Sequence, residues 1–456
     1  MEFDVAILGG GSAGYAAAST AQSYGAKVAI VDPGPLGGLC ILRGCMPTKT
    51  ILRSSDILSL MRRAKEFGLI PVEPVANLAA INDRKNRLIA EFTDYRVKQL
   101  KDSRFTLIQE KAEFISSNNI RVGPKILKAN KFIIATGSVV ANYSIPGLEE
   151  TGFVTSDDIL TMREAPESII VLGAGAVAVE LAQFFLRIGT SVTLIQRSGH
   201  ILSQGDEDLA RPVENRFRKE GMNLFTGTKI VKAVRENNRS TVYFEYEGKE
   251  NRAQAETILQ ALGRRPNIDG LNLQAAGVKT DKGLVTVDSE MRTSQKNIFA
   301  VGDVNGIHEV VHIAIQQGEI AGFNACHPEK SKQVDNRLKA SVVFTDPAIA
   351  SVGLSEKECQ TANRDYLVAS HPFSDHGKSM CLGETHGHVK ILCDPITGEI
   401  IGGHIVGPEA GELIHEIITL MHFRGTVNDL MAIPHYHPTL AEILTYPAEE
   451  LAEKIK

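Results

Sequence analysis

A chain of 456 residues, 43% hydrophobic and 23% charged, has the composition of a soluble globular protein with enough core for several domains. Its net charge of −5 gives no electrostatic reason to expect nucleic acid or an anionic membrane as a partner, and six cysteines in so long a chain do not make a secreted disulfide scaffold. No apolar run approaches the ~20 residues of a membrane helix and structure begins at Phe3, so a cytoplasmic protein is expected.

Phe3 to Leu8 reads as a short apolar strand, followed by Gly9-Gly10-Gly11-Ser12-Ala13-Gly14 and a small-residue helix through Ala16, Ala17, Ala18 and Ala21. A second strand, Val28 to Val31, ends at Asp32. Gly9, Gly11 and Gly14 match G-x-G-x-x-G between strand and helix, which is the setting of a dinucleotide fingerprint. The first glycine permits the turn, the second lets the backbone approach a pyrophosphate, and the third lets helix pack on strand. Asp32 can accept from a ribose 2′-hydroxyl.

Gly37-Gly38-Leu39-Cys40-Ile41-Leu42-Arg43-Gly44-Cys45-Met46-Pro47-Thr48-Lys49 follows. The apolar run after it predicts a helix starting at or just after Cys45, with Pro47 near its start. A thiolate at a helix N-terminus is favoured by the free N–H groups there, and Lys49 adds positive charge one turn on. From the residues alone a redox pair, two small buried hydrophobes and a metal site stay open. No second Cys/His pair stands at finger-like spacing, and no metal is expected.

Ser54 to Phe67 and Ile81 to Asp102 read as charged amphipathic helices, whose charge runs are solvated faces. Phe132-Ile133-Ile134-Ala135-Thr136-Gly137-Ser138 reads as a buried strand ending in a glycine turn, and Ile145-Pro146-Gly147 as a turn or linker. A second fingerprint stands at Gly173, Gly175 and Ala178, between the strand Ile169 to Leu172 and a helix Glu180 to Ile188, with Ser191 to Ile195 as the next strand. Here Ala178 replaces the third glycine, and the strand ends in Gln196-Arg197 where the first copy has an acid. A cation without an acid suits a 2′-phosphate, which favours NADP(H) over NAD(H). The alternative is a solvent-facing Arg197 and NAD(H) held by other contacts. Two dinucleotide sites in one chain imply an electron relay. Ile298 to Val301 then leads into Gly302-Asp303, an acid able to accept from the hydroxyls of a flavin's sugar-alcohol chain, or else a helix cap. Val311 to Gly322 reads as a helix.

These motifs, with Ala135-Thr136-Gly137 and Gly263-Arg264-Arg265-Pro266-Asn267, stand in the order found in the flavoprotein disulfide reductases. The chain resembles that family, which includes lipoamide dehydrogenase, glutathione reductase and mercuric reductase, over essentially its whole length. The resemblance implies an α/β fold of two Rossmann-like dinucleotide-binding domains plus a C-terminal α+β dimerisation domain. The boundaries expected are an FAD domain over 1–147, an NAD(P) domain over 148–266, the FAD domain's return over 267–333 and an interface domain over 334–456. It implies FAD at Gly9, Gly11, Gly14, Asp32, Thr136, Gly137, Gly302 and Asp303, and NAD(P)(H) at Gly173, Gly175, Ala178, Gln196, Arg197 and Gly263. Cys45 is then the thiol against the flavin and Cys40 the one that meets substrate, with Lys49 and Glu180 as an ion pair beside the flavin.

Late in the chain, His435-Tyr436-His437-Pro438-Thr439-Leu440-Ala441-Glu442 matches the family's HPT-x-x-E at His437 and Glu442. Thiol–disulfide exchange needs a group that moves a proton near neutral pH, and a carboxylate can orient the imidazole. In the family this pair comes from the partner subunit, which implies a homodimer. The interface segments from Gly387 and Gly402 resemble lipoamide dehydrogenase, so the substrate expected is a dithiol or disulfide of the lipoyl type, free or carried by a protein. The absence of cysteine after Cys393 and the presence of His437 argue against mercury reduction. Leu39, Leu42, Arg43 and Met46-Pro47-Thr48 depart from the family's usual redox loop. An NADPH-dependent reductase of another disulfide and a binding scaffold remain as alternatives, and the motifs leave the net direction of electron flow open. Cys326, Cys359, Cys381 and Cys393 read as structural.

Overall fold

The structure, a computed structural model, describes residues 1–455. The chain forms two compact units. One comprises Met1–Thr50, Asp83–Asn142 and Gly263–Asp335; the other takes Ile51–Asn82, Tyr143–Leu262 and the chain from Asn336 onward.

The first unit opens with β1 (Glu2–Leu8), α1 (Ser12–Ser23) and β2 (Val28–Val31). Next come α2 (Gly38–Leu42), the start of α3 (Cys45–Arg62) and most of α4 (Leu78–Leu100). Its sheet runs Phe105–Ile108, β2, β1, Lys125–Ile134, Asn119–Val122, Ala112–Ser116, with Ile298–Ala300 also paired to Lys125–Ile134. Ile7 stands opposite Ile30 on one side and Ile133 on the other, all three in parallel ladders and fully buried. Strands covered on both faces read as continuous apolar runs, and these do. Small residues let α1 and the helix Val311–Cys326 approach closely: a Cβ on Gly318 would lie 2.3 Å from the Ala13 carbonyl oxygen, and one on Gly322 2.6 Å from that of Ala17.

Several expected elements differ in extent. The strand placed at Phe132 to Ser138 spans Lys125–Ile134, the stretch Ser54 to Phe67 divides into the end of α3 and a 3-10 turn at Ala64–Phe67, and Ile81 to Asp102 becomes α4. The helix expected to stop at Gly322 runs on to Cys326. Glycine in a helix is tolerated there because it buries backbone against α1.

In the second unit a parallel sheet runs Asn223–Phe225, Ser191–Ile195, Ser168–Leu172, Thr257–Gln260. The helix Ala176–Ile188 starts four residues before the expected Glu180, because Gly175 is its N-cap and the turn passes directly into helix. Val179, Leu181, Phe184 and Phe185 bury nearly all of its circumference. A three-stranded antiparallel sheet spans residues 229–255, and a five-stranded antiparallel sheet runs Ala340–Val343, Ala348–Gly353, Ile400–Gly407, His388–Cys393, Leu367–Pro372. The amphipathic helix Ala410–His422 packs Ile414, Ile417 and Met421 into the core beside that last sheet. Among the described residues no helix is long and apolar enough to cross a membrane.

Candidate active site

The turn after β1 is built for close approach. Gly9 has φ +108°, and a Cβ there would lie 2.3 Å from the Ala135 carbonyl oxygen; on Gly14 it would lie 1.9 Å from that of Gly9. Gly38, at the head of α2, comes so near the same turn that a Cβ on it would be 2.6 Å from Gly11 Cα. Asp32 Oδ2 accepts from the Gly10 N–H at 2.6 Å and Oδ1 from the Gly34 N–H at 2.7 Å, so this carboxylate also fixes the turn. Thr136 Oγ1 is buried without a hydrogen-bond partner. Gly137 takes φ +69° and its carbonyl accepts from the Asn267 N–H at 2.9 Å.

Asp303 is held by a relay of polar contacts. Its Oδ2 accepts from Ser138 Oγ at 2.6 Å, while Arg264 donates from Nε to Ser138 Oγ at 2.8 Å and from Nη2 to the Ser138 carbonyl at 2.9 Å. Gly302, at φ +75°, donates its N–H to Gln317 Oε1 at 2.8 Å, and Asn305 Nδ2 donates to the same oxygen at 2.9 Å. Gly263 has φ +139°, and its carbonyl accepts from the Ala141 N–H at 3.0 Å. Sequence reasoning missed Ser138, Arg264, Asn305 and Gln317. The first two adjoin motifs that were visible; Gln317 lies fifteen residues after Gly302, where no spacing rule reaches. The glycine cradle, the orphaned Thr136 hydroxyl and the preset Asp303 fit a flavin adenine dinucleotide with its pyrophosphate at the first turn.

Cys40 lies on α2 and Cys45 is the first residue of α3, both half-buried thiols. Gly44 closes the step between them: a Cβ there would stand 3.1 Å from both Cys40 Cα and the Leu39 carbonyl oxygen. Cys40 is pushed far above the usual thiol range, first by its hydrogen bond to the Cys45 sulfur, then by burial and by the charge of Cys45. Cys45 stands at the helix N-terminus, where free N–H groups favour a thiolate. Lys49 follows one turn along α3. Among the other cysteines, Cys359 and Cys393 are buried and Cys326 is partly so, but Cys381 is exposed, so core packing does not account for it.

At the second fingerprint Gly173 has φ +99°, and a Cβ there would lie 2.5 Å from the Ala261 carbonyl oxygen. Nothing crowds Gly175, and Ala178 is fully buried in the helix that follows. Gln196 is tied by its backbone to Phe225 and Thr228, and Arg197 beyond it is exposed. Glu180 is 2% exposed and accepts from the Phe344 N–H at 3.0 Å.

His437 Nδ1 meets Glu442 Oε1 at 2.9 Å, and Glu442 Oε2 accepts from the Thr439 N–H at 2.7 Å. That backbone hydrogen bond, then His437, holds the Glu442 carboxyl below its ordinary value. The His437 side chain is 81% exposed in the single chain. His435 is instead nearly buried and bonded to Glu416 at 2.8 Å.

Residues 3–318 match the family profile described as pyridine nucleotide-disulphide oxidoreductase, and residues 339–448 match that family's dimerisation domain, which supports a homodimer. A mercuric reductase of Staphylococcus aureus is 34% identical, over 98% of this chain and 82% of its own length. A dihydrolipoyl dehydrogenase of Mycobacterium tuberculosis is also 34% identical, over 97% and 96%. Among solved structures, LpdA from Mycobacterium tuberculosis matches with a TM-score of 0.88 at 28% identity, over 98% of this chain and 99% of its own. The HOCl-induced flavoprotein disulfide reductase RclA from Escherichia coli shares the fold, with a TM-score of 0.86 at 24% identity, over 98% and 99%. The relatives' names divide between two substrates, so kinship gives the reaction class and leaves the substrate unsettled. With the flavin cradle, the cysteine pair and both matched domains in one chain, this protein belongs to the pyridine nucleotide-disulphide oxidoreductase family, as an enzyme that uses FAD and NAD(P)(H).

Proposed function

We propose that the enzyme exchanges two electrons between NADP(H) and a dithiol or disulfide substrate of the lipoyl type, through Cys40 and Cys45. The observation that carries this reading is the placement of Cys45 at the head of α3 with Cys40 hydrogen-bonded to its sulfur. FAD supplies the two-electron transfer between the nicotinamide and the cysteine pair. In the reducing direction Cys40 attacks one substrate sulfur, forms a mixed disulfide and releases the first thiol. Cys45 then attacks Cys40, releases the second thiol and closes the Cys40–Cys45 disulfide, so that two thiols leave for each disulfide consumed. Because Cys40 holds its proton tightly, the exchange needs a base, and His437 oriented by Glu442 takes that role in a homodimer, given by one subunit to the other's Cys40. Lys49 and Glu180 are proposed as the charged pair that steadies the flavin. The four-segment division at 147, 266 and 333 is proposed as the domain plan.

The exposed Arg197, where an NAD-specific site carries an acid, is equally compatible with a second reading, an NADPH-dependent reductase of another disulfide. A paired assay separates the two. One arm oxidises dihydrolipoamide with NAD+ or NADP+; the other reduces lipoamide and glutathione disulfide with NADH or NADPH. Fast oxidation of dihydrolipoamide supports the lipoyl reading, and activity only with NADPH on another disulfide replaces it. Unchanged turnover in Cys45→Ser would end both.

A further inference from the structure

Basic residues gather at helix ends in the second unit. Arg62 closes α3, and Arg218 and Lys219 stand in the last turn of the helix Glu207–Glu220. The free carbonyls of a helix C-terminus favour cations, and Arg62 serves one directly, donating from Nη1 to the Arg187 carbonyl at 2.6 Å. Capping does not account for the cavity that these ends enclose with the loop 383–386. It holds about 570 Å³, and Arg62, Arg63, Arg187, Arg216 and Lys219 line it against two carboxylates, Glu66 and Glu220.

Those carboxylates, and others behind them, are already engaged. Glu66 accepts from Arg63 Nε at 2.9 Å and Glu384 from Arg63 Nη1 at 2.5 Å. Glu220 Oε1 accepts from Arg187 Nη2 at 2.8 Å and from Arg216 Nε at 2.6 Å, while Asp346 pairs with Arg187. The donors are not used up in the same way. Arg216 is 8% exposed, yet among the described residues its Nη1 has no partner and is not sealed from solvent. Lys219 is exposed and has no carboxylate within ion-pair distance among the described residues. His386, half-buried in the cavity wall, has no hydrogen-bond partner among them either. Burial, then the charges of Arg216 and Lys219, hold its imidazole below the ordinary value, and Asp346 only partly opposes them. The charges around this ring are therefore positive on balance.

We propose that this cavity binds a phosphate group, free or carried by a small phosphorylated molecule, on Arg216, Lys219 and His386. A tetrahedral oxyanion has several oxygens to satisfy. A guanidinium edge, an ammonium, a neutral imidazole N–H and the Thr385 hydroxyl supply charged and neutral donors together. The volume lies within the usual range of small-molecule sites, about 300–1,000 Å³, which leaves room for the organic part of an ester. None of the lining residues belongs to the redox pair or to either dinucleotide fingerprint.

The test is calorimetric titration of the holoenzyme in phosphate-free buffer at fixed ionic strength. The probes are inorganic phosphate, glucose 6-phosphate and, as the neutral control, glucose. Saturable binding of the phosphate probes and none of glucose is expected. Lys219→Gln, at an exposed position that leaves no ion pair broken, should weaken binding about 10-fold, as should His386→Gln, and Lys219→Arg should keep most of it. Arg197→Glu tests the competing explanation, that the anion sits where a coenzyme 2′-phosphate is proposed, and should leave binding unchanged. Tighter binding of glucose 6-phosphate than of phosphate assigns the site to a phosphorylated molecule, and equal or weaker binding assigns it to free phosphate. No saturable binding by the parent, undiminished affinity in Lys219→Gln, or loss of binding in Arg197→Glu overturns the proposal.

Discussion

Lys390 offers a sharp test of what holds the second unit together. Its side chain is 2% exposed in the middle of His388–Cys393, and its Nζ donates to Asp206 Oδ2 at 2.8 Å, Asp208 Oδ1 at 2.9 Å and Glu356 Oε1 at 3.0 Å. Lys390→Met keeps the volume and removes the charge, leaving three carboxylates facing one another. Stripping a buried ion network of one partner costs about 3–5 kcal/mol. Asp208 and Glu356 are 43% and 30% exposed, and Asp206 keeps hydrogen bonds from the N–H groups of Glu356 and Lys357. Water and those bonds relieve part of the loss, so the lower end, about 3 kcal/mol, is expected at pH 7.

The pH dependence follows from the same contacts. Burial raises the carboxyls of Asp206 and Asp208, but Lys390 for the first, and His388 then Lys390 for the second, more than offset it and hold both below their ordinary values. Depressed carboxyls stabilise the fold above their unfolded value near ~4, and that contribution is lost as pH falls through the folded values. The deficit of Lys390→Met should therefore be full at neutral pH and shrink below about pH 4. Urea unfolding of the holoenzyme, followed by circular dichroism at several pH values, reads both. A variant as stable as the parent at pH 7, or a deficit independent of pH down to 3, would refute the reasoning.

Three further outcomes are expected. His437→Gln should lower turnover about 10²- to 10⁴-fold, the usual share of a general acid–base, and a variant with full turnover would remove His437 from the proton transfer. Gly14→Ala should yield protein lacking the flavin absorbance near the visible band, since its Cβ would sit 1.9 Å from the Gly9 carbonyl oxygen; full flavin content in the purified variant would contradict the proposed pyrophosphate seat. Arg197→Glu should move the NADPH-to-NADH ratio of kcat/KM toward NADH by about 10-fold or more, and an unmoved ratio would remove Arg197 from coenzyme choice.

Local chemistry is what the sequence displays. Gly9 and Gly14 announce a turn because only glycine tolerates the contacts found there, and Cys45 with Pro47 stands where α3 begins in the structure. His437 and Glu442 are five residues apart, so one turn brings them together and the pair is legible from spacing. The extent of Val311–Cys326 was not, because its glycines look like breakers until α1 is packed against them. Nor were the partners of Asp303 and Gly302: Ser138 is 165 residues from Asp303, and Gln317 reaches Gly302 only once the helix has docked. Arg96 reads in the sequence as one more charge on an amphipathic helix. Only the packing of α4 on α1 decides that its guanidinium carbon stands 4.5 Å from the centroid of the Tyr15 ring with Nη1 shielded from solvent, because desolvation is a property of the assembled fold and has no signature along the chain.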